Sequence, residues 1–158
     1  MPVFLIRHGQ SEFNAAYQGE DSDPMLYDAP LTDKGRQQAE AARALVVDLG
    51  IKQVITSPLT RAIQTALCLF DGIAPITVAA GHRELLIHSC DVGRHPADLQ
   101  RDFPALSFSH LADCWWHFSY GDRLWAEVTG RTQAFFAPID YDSKDRVILP
   151  QENTTDIF

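Results

Sequence analysis

The sequence predicts an α/β domain, a mostly parallel sheet flanked by helices. Three observations carry this. A short continuous apolar run at residues 3–6 has the pattern of a strand buried in a sheet, and short β-type segments follow at 53–56 and 76–79. Two long stretches between them repeat apolar residues at helical spacing. The two kinds of segment alternate at short intervals, as parallel crossovers require.

Residues 3–6 read as the first strand, and they end abruptly in Arg7-His8-Gly9-Gln10-Ser11. Residues 18–30 are rich in Asp, Pro, Gly and Ser and read as a loop. Thr32 is placed to cap a helix running to Leu49, with Ala39, Ala42, Val46 and Leu49 on one face and Gly50 closing it. Gly35 inside that helix costs about 1 kcal/mol relative to alanine, so a close contact is expected to require it. After the second strand, Ser57-Pro58 reads as a helix start, serine capping and proline at the first helical position. Its helix puts Leu59, Ala62, Ile63, Ala66, Leu67 and Phe70 on one stripe. Residues 76–79 form the third strand.

The second half differs in kind. Ten of the sixteen aromatic residues fall between Phe103 and Tyr141, and they are expected to form a satellite core over the sheet, some lining a pocket. Residues 147–149 read as a last strand cut by Pro150. Residues 1–149 are taken as a single domain and 150–158 as a polar, poorly ordered tail.

Composition excludes several functions. The formal net charge of −8 argues against a protein whose partner is a nucleic-acid backbone. The longest apolar run, Ala66 to Phe70, has five residues, whereas a spanning helix needs about 20, so no membrane is expected. The N-terminus lacks the basic stretch of a signal peptide. Cys68, Cys90 and Cys114 are odd in number and form no Cys-x-x-Cys pair, which reads as reduced thiols in a cytoplasmic protein.

In open α/β sheets, ligands bind beyond the carboxyl ends of the strands. Two loops leave such ends, Arg7-His8-Gly9 and Ser57 to Arg61. Arg61 falls in the first turn of its helix, where free N–H groups already favour an anion. Two arginines converging around an imidazole suit a phosphate ester. The guanidinium forks hold oxygens, and a neutral histidine nitrogen attacks phosphorus.

These residues lie in three ordered blocks. They are Leu5-Ile6-Arg7-His8-Gly9-Gln10-Ser11-Glu12-Phe13-Asn14, Leu31-Thr32-Asp33-Lys34-Gly35-Arg36-Gln37-Gln38-Ala39 and Thr56-Ser57-Pro58-Leu59-Thr60-Arg61-Ala62-Ile63-Gln64-Thr65-Ala66. On these blocks the chain resembles the histidine phosphatase superfamily, which includes the phosphoglycerate mutases. The resemblance implies a phosphoglycerate mutase-like three-layer sandwich. It implies that His8 accepts the phosphoryl group, that Arg7, Arg61 and Asn14 contact its oxygens, and that Glu84 protonates the leaving alcohol. It implies no metal or organic cofactor, and a small phosphate ester or inorganic phosphate as the partner.

One departure accompanies the match. Family members carry a second histidine late in the chain, after a strand that would correspond to residues 146–149. Here Pro150-Gln151-Glu152-Asn153 follows, and no histidine occurs after His117. The expectation is a chain truncated or altered near Leu149, with phosphatase activity impaired by the loss of one contact. A non-catalytic phosphate-binding protein and a mutase are the alternatives, and an uncovered sheet edge would favour a homodimer. His110, Cys114 and His117 with Asp113 have zinc-like spacing, but three ligands amid aromatics favour a packed segment. Gly9-Gln10-Ser11-Glu12-Phe13 lacks the closing glycine of a serine-hydrolase elbow. His82, His88 and His95 read as loop or surface residues.

Overall fold

The computed structural model describes residues 3–19 and 22–116, with the backbone of two short strands beyond them. Its elements in order are α1 (Glu12–Ala16), α2 (Asp33–Val47), β1 (Val54–Thr56), α3 (Thr60–Phe70), β2 (Ile76–Val78), α4 (Pro96–Asp102), β3 (Asp140–Tyr141) and β4 (Val147–Ile148). β1 and β2 pair in parallel, with Ile55 opposite Thr77. β3 and β4 pair antiparallel, so the last expected strand is present as Val147–Ile148. The α/β class, with helices against a small parallel sheet, is the one the sequence predicts. Residues 149–158, where the resemblance would place a second histidine and where a polar tail is expected, lie outside the described residues.

α2 begins as expected, the Thr32 side chain accepting from Gly35 N–H, and Gly50 past its end takes φ +65°. Its face of Ala42 and Val46 packs on Leu69 and Phe70 of α3, with Ile6, Val54 and Ile76 against them. A second cluster joins Leu59, Ile63, Val78, Leu99, Phe108, Leu111 and Trp115. The expected aromatic satellite core is therefore real where the structure describes it. Trp115 is fully buried, and its indole N–H is satisfied by Arg94 O at 2.9 Å.

Two expectations need correction. Residues 3–6 are in no strand among the described residues, and they are not buried on both faces. Val3 and Leu5 are exposed, whereas Ile6 packs beneath α2 and α3. An apolar run shows that a segment can pair; it does not supply the neighbour at about 4.8 Å that makes a ladder. Ile55 is likewise exposed.

The second correction concerns α3. It starts at Thr60, not at Pro58, and its N-cap residue Leu59 makes no side-chain cap bond. The cap comes from elsewhere in the chain. Asp28 Oδ1 accepts from Thr60 N–H at 2.8 Å, and Oδ2 accepts from the Thr60 hydroxyl. A buried carboxylate on the orphan donors of a helix start outcompetes a serine whose only contact is 3.4 Å from Leu59 N–H.

Candidate active site

The loop at residues 7–11 is pinned from three sides. Gly9 N–H donates to Thr65 Oγ1 at 3.2 Å, and Gln10 N–H donates to Gln38 Oε1 at 2.9 Å. Thr32 N–H donates to Gln10 O at 2.9 Å. The start of α2 is pressed directly onto this loop. A methyl on Gly35 would lie 2.9 Å from the Gln10 carbonyl carbon and closer still to its oxygen. The close contact expected to require Gly35 is thus the contact that fixes the loop carrying His8.

His8 is held in one tautomer. Its Nδ1 lies 2.7 Å from Gly9 O, which can only accept, so Nδ1 carries the proton. Nε2 is left with its lone pair and receives a hydrogen bond from Arg61 Nε at 3.2 Å. Burial pushes the imidazole down from its ordinary 6.5 to about 4; the bond to Gly9 opposes this, Arg61 and Arg7 reinforce it, and Asp91 opposes it. The ring is neutral at pH 7, the form a nucleophilic nitrogen needs.

The low value has a consequence for stability. Between about pH 4 and 6.5 the unfolded chain binds a proton at His8 that the folded chain does not, so stability rises with pH across that window. The group contributes on the order of 3 kcal/mol of acid destabilisation by pH 4. We expect the His8 Cε1–H resonance to titrate near pH 4. In urea unfolding at pH 5 and pH 7, His8→Asn should be less sensitive to acid than the wild type. A midpoint near 6.5 would show the ring to be solvated.

Arg61 is the second element of the cluster, and its side chain is only 4% exposed. Besides Nε on His8, its Nη1 donates to Cys90 O at 2.7 Å and Nη2 to Asp91 Oδ1 at 2.9 Å. Thr65, one helical turn on, donates to Arg61 O and accepts from Gly9, so it ties the helix to the histidine loop. Cys90 Sγ lies 3.6 Å from Asp91 Oδ1, and burial raises the thiol to about 12, which keeps it uncharged.

The remaining expected residues stand differently. Arg7 is exposed next to His8 and makes no hydrogen bond or ion pair among the described residues. Asn14 spends its Oδ1 locally, accepting from Ser11 N–H and Oγ in the capping box of α1, and keeps Nδ2 as a donor. Glu84 is exposed, past the Ala80–His82 turn that follows β2. It belongs to the same sheet end, but makes none of the contacts of the His8–Arg61 cluster. The structure therefore joins His8 and Arg61 directly, has Arg7 adjoin His8 in the chain, and shows neither Asn14 nor Glu84 in contact with that pair.

Sequence reasoning missed Asp91 and Thr65. A buried arginine at a helix start demands a counter-charge, and the segment after β2 offers two acids, Glu84 and Asp91. Only the second reaches it. Of the residues with zinc-like spacing, His117 lies outside the described residues, and His110 and Asp113 have separate partners. His110 Nε2 bonds Val78 O at 2.8 Å, and Asp113 pairs with His95 at 3.2 Å. No cluster of three metal-ligating side chains is found among the described residues. His88 packs edge-on against Phe13 and Tyr17 rather than lying free on the surface. A cavity of about 460 Å³ lies on the Thr60–Gln64 face of α3, beside Phe103. Its one guanidinium, Arg94, is neutralised by Asp28 and Asp102, so it does not compete for an anion.

Residues 3–149 match the family model of the histidine phosphatase superfamily, branch 1. The chain belongs to this superfamily. Among related sequences, Phosphoglycerate mutase-like protein 1 of Arabidopsis thaliana is 32% identical over 164 aligned positions, which take in 78% of this chain and 55% of that one. "Probable phosphoglycerate mutase GpmB" of Cronobacter sakazakii is 38% identical over 113 positions, covering 70% of this chain and 43% of that one. A crystal structure of an Escherichia coli protein assigned as an alpha-ribazole-5'-P phosphatase superposes with a TM-score of 0.49 at 23% identity, covering 82% and 66% of the two chains. This histidine phosphatase superfamily chain spans about half the length of the curated relatives it matches. No described helix is long and apolar enough to cross a membrane.

Proposed function

We propose that the chain is a phosphomonoester hydrolase that works through a phosphohistidine on His8. The observation that carries this is the state of the imidazole: neutral, with Nδ1–H committed to Gly9 O and the Nε2 lone pair facing Arg61. A phosphoryl oxygen arriving between the two takes over the Arg61 Nε–H, which frees Nε2 to attack phosphorus. Arg7 and Asn14 Nδ2 supply further donors to the equatorial oxygens, where charge spreads in the transition state.

In the first step the Nε2–P bond forms and the ester P–O bond breaks. The departing oxygen takes a proton from the Glu84 carboxyl, for which the loop carrying Glu84 moves inward on substrate. Water then attacks phosphorus, the N–P bond breaks, and the water proton returns to Glu84. The relatives named as mutases differ in the acceptor of the second step. The phosphohistidine step is common to both, and hydrolysis is the simpler reading because it requires no second substrate site.

The test is a trapping experiment. The protein is incubated with p-nitrophenyl phosphate, quenched in alkali, where phosphohistidine survives, and mapped by mass spectrometry. We expect a phosphoryl group on His8, removed by acid, together with p-nitrophenol release; His8→Ala should show neither. Turnover that persists in His8→Ala, or a wild type with neither label nor product, would overturn the proposal.

A further inference from the structure

Arg61 is gripped from behind, and the residue that grips it takes no part in the steps above. A guanidinium presents two donor edges: end-on through Nη1 and Nη2, and side-on through Nε and Nη2. The end-on edge is filled by Cys90 O at 2.7 Å and Asp91 Oδ1 at 2.9 Å. The side-on edge carries the Nε–H that reaches His8. Asp91 is itself immobilised. Its Oδ2 accepts from Ile87 N–H at 3.2 Å and His88 N–H at 2.9 Å, and its side chain is 3% exposed. The turn Ser89–Asp91 that carries it is anchored in turn to Asp23, which accepts from Ser89 N–H at 2.7 Å.

We propose that Asp91 is the positioning residue of this site: it clamps the end-on edge of Arg61 so that the side-on edge stays aimed at the nitrogen that attacks and at the oxygens of the phosphoryl group. This rests on the phosphohistidine reading for its chemistry and on geometry alone for its structure. With Arg61 held, exchange of His8 Nε2 for a phosphoryl oxygen needs no rotation of the guanidinium, so this donor does not reorganise during the reaction. The same contacts exclude Asp91 as the proton donor. Both of its oxygens already accept hydrogen bonds, and a leaving alcohol cannot reach a carboxylate enclosed behind Arg61.

Asp91→Asn tests this in two ways. The first needs no turnover. The ¹⁵N resonance of His8 Nε2 senses the Arg61 bond, and in Asp91→Asn it should move to the position of an unbonded imidazole nitrogen, while Nδ1, held by Gly9, stays where it is. The second is a double-mutant cycle on p-nitrophenyl phosphate hydrolysis with Arg61→Lys. Asp91→Asn alone should lower kcat about a hundredfold with a smaller change in KM, and should cost little more once Arg61 is lysine. An unmoved Nε2 resonance, or losses that multiply independently, would overturn the proposal. If the wild type neither turns over nor labels, the phosphatase reading fails and the resonance alone decides the positioning. Should Asp91→Asn not fold, Asp91→Glu keeps the charge but displaces it by one methylene. Positioning predicts the same resonance shift there, and a retained bond would refute it.

Discussion

Arg61→Ala should lower the unfolding free energy by about 3–5 kcal/mol, read as a fall in the urea midpoint at unchanged slope. The reason lies in what the substitution leaves behind. The Arg61–Asp91 pair is almost fully enclosed, at 4% and 3% side-chain exposure. Removing the cation leaves a buried carboxylate and the Cys90 carbonyl without their partner. The neighbouring Cys90 thiol cannot replace the lost charge, and the Ile87 and His88 N–H groups bond the other carboxylate oxygen. Replacing both partners by apolar residues, as in Arg61→Met with Asp91→Leu, should recover much of the loss, because the pair's own desolvation cost disappears as well. An Arg61→Ala protein as stable as the wild type would mean that the pair is solvated. The comparison separates two roles. A buried pair that an apolar pair can replace is not kept for stability, and turnover should be lost in both variants.

How far the sequence reveals this site follows from the distance over which each contact acts. Arg7, His8, Thr32 and Gly35 are legible because a strand end, a cap and a helix glycine are local patterns, and the family blocks fall on the same residues. Arg61 is legible by its place in the first turn of α3. The groups that hold it are not. Asp28 reaches Thr60, and Asp91 reaches Arg61, across chain separations of 32 and 30 residues, through turns with no periodicity to announce them. An acid in such a turn reads as a solvated loop residue until the fold closes over it. Residues 3–6 show the opposite failure. Their apolar character is correctly read, but a ladder depends on a neighbour that the run itself cannot specify. The start of α3 combines both effects, since the local signal Ser57-Pro58 loses to a cap supplied by Asp28.

Gly35→Ala should be the most damaging conservative change outside the cluster itself. In an ordinary helix interior the substitution gains about 1 kcal/mol. Here the added methyl would overlap the Gln10 carbonyl, and the facing Gly9 makes the same kind of approach to Gly35 O. Both contacts are backbone to backbone, so no side chain can swing away; either α2 slides or the loop retreats. Overpacking of this kind costs about 1–3 kcal/mol, enough to cancel the helix gain and leave a net loss. The loop is the softer of the two, because α2 is locked to α3 through Ala42, Val46, Leu69 and Phe70. Its retreat carries His8 away from Arg61 Nε and strains the Gly9–Thr65 bond. A displacement of about 1 Å at the nucleophile costs on the order of a hundredfold in rate, so the catalytic effect should exceed the effect on stability. The measurement is kcat on p-nitrophenyl phosphate beside a urea unfolding curve, with Gly50→Ala as the control, since a methyl there meets no atom within 4 Å. Gly50 takes φ +65°, so its variant should lose some stability and keep its rate. Equal rates in the two variants would show that the contact at Gly35 does not reach His8.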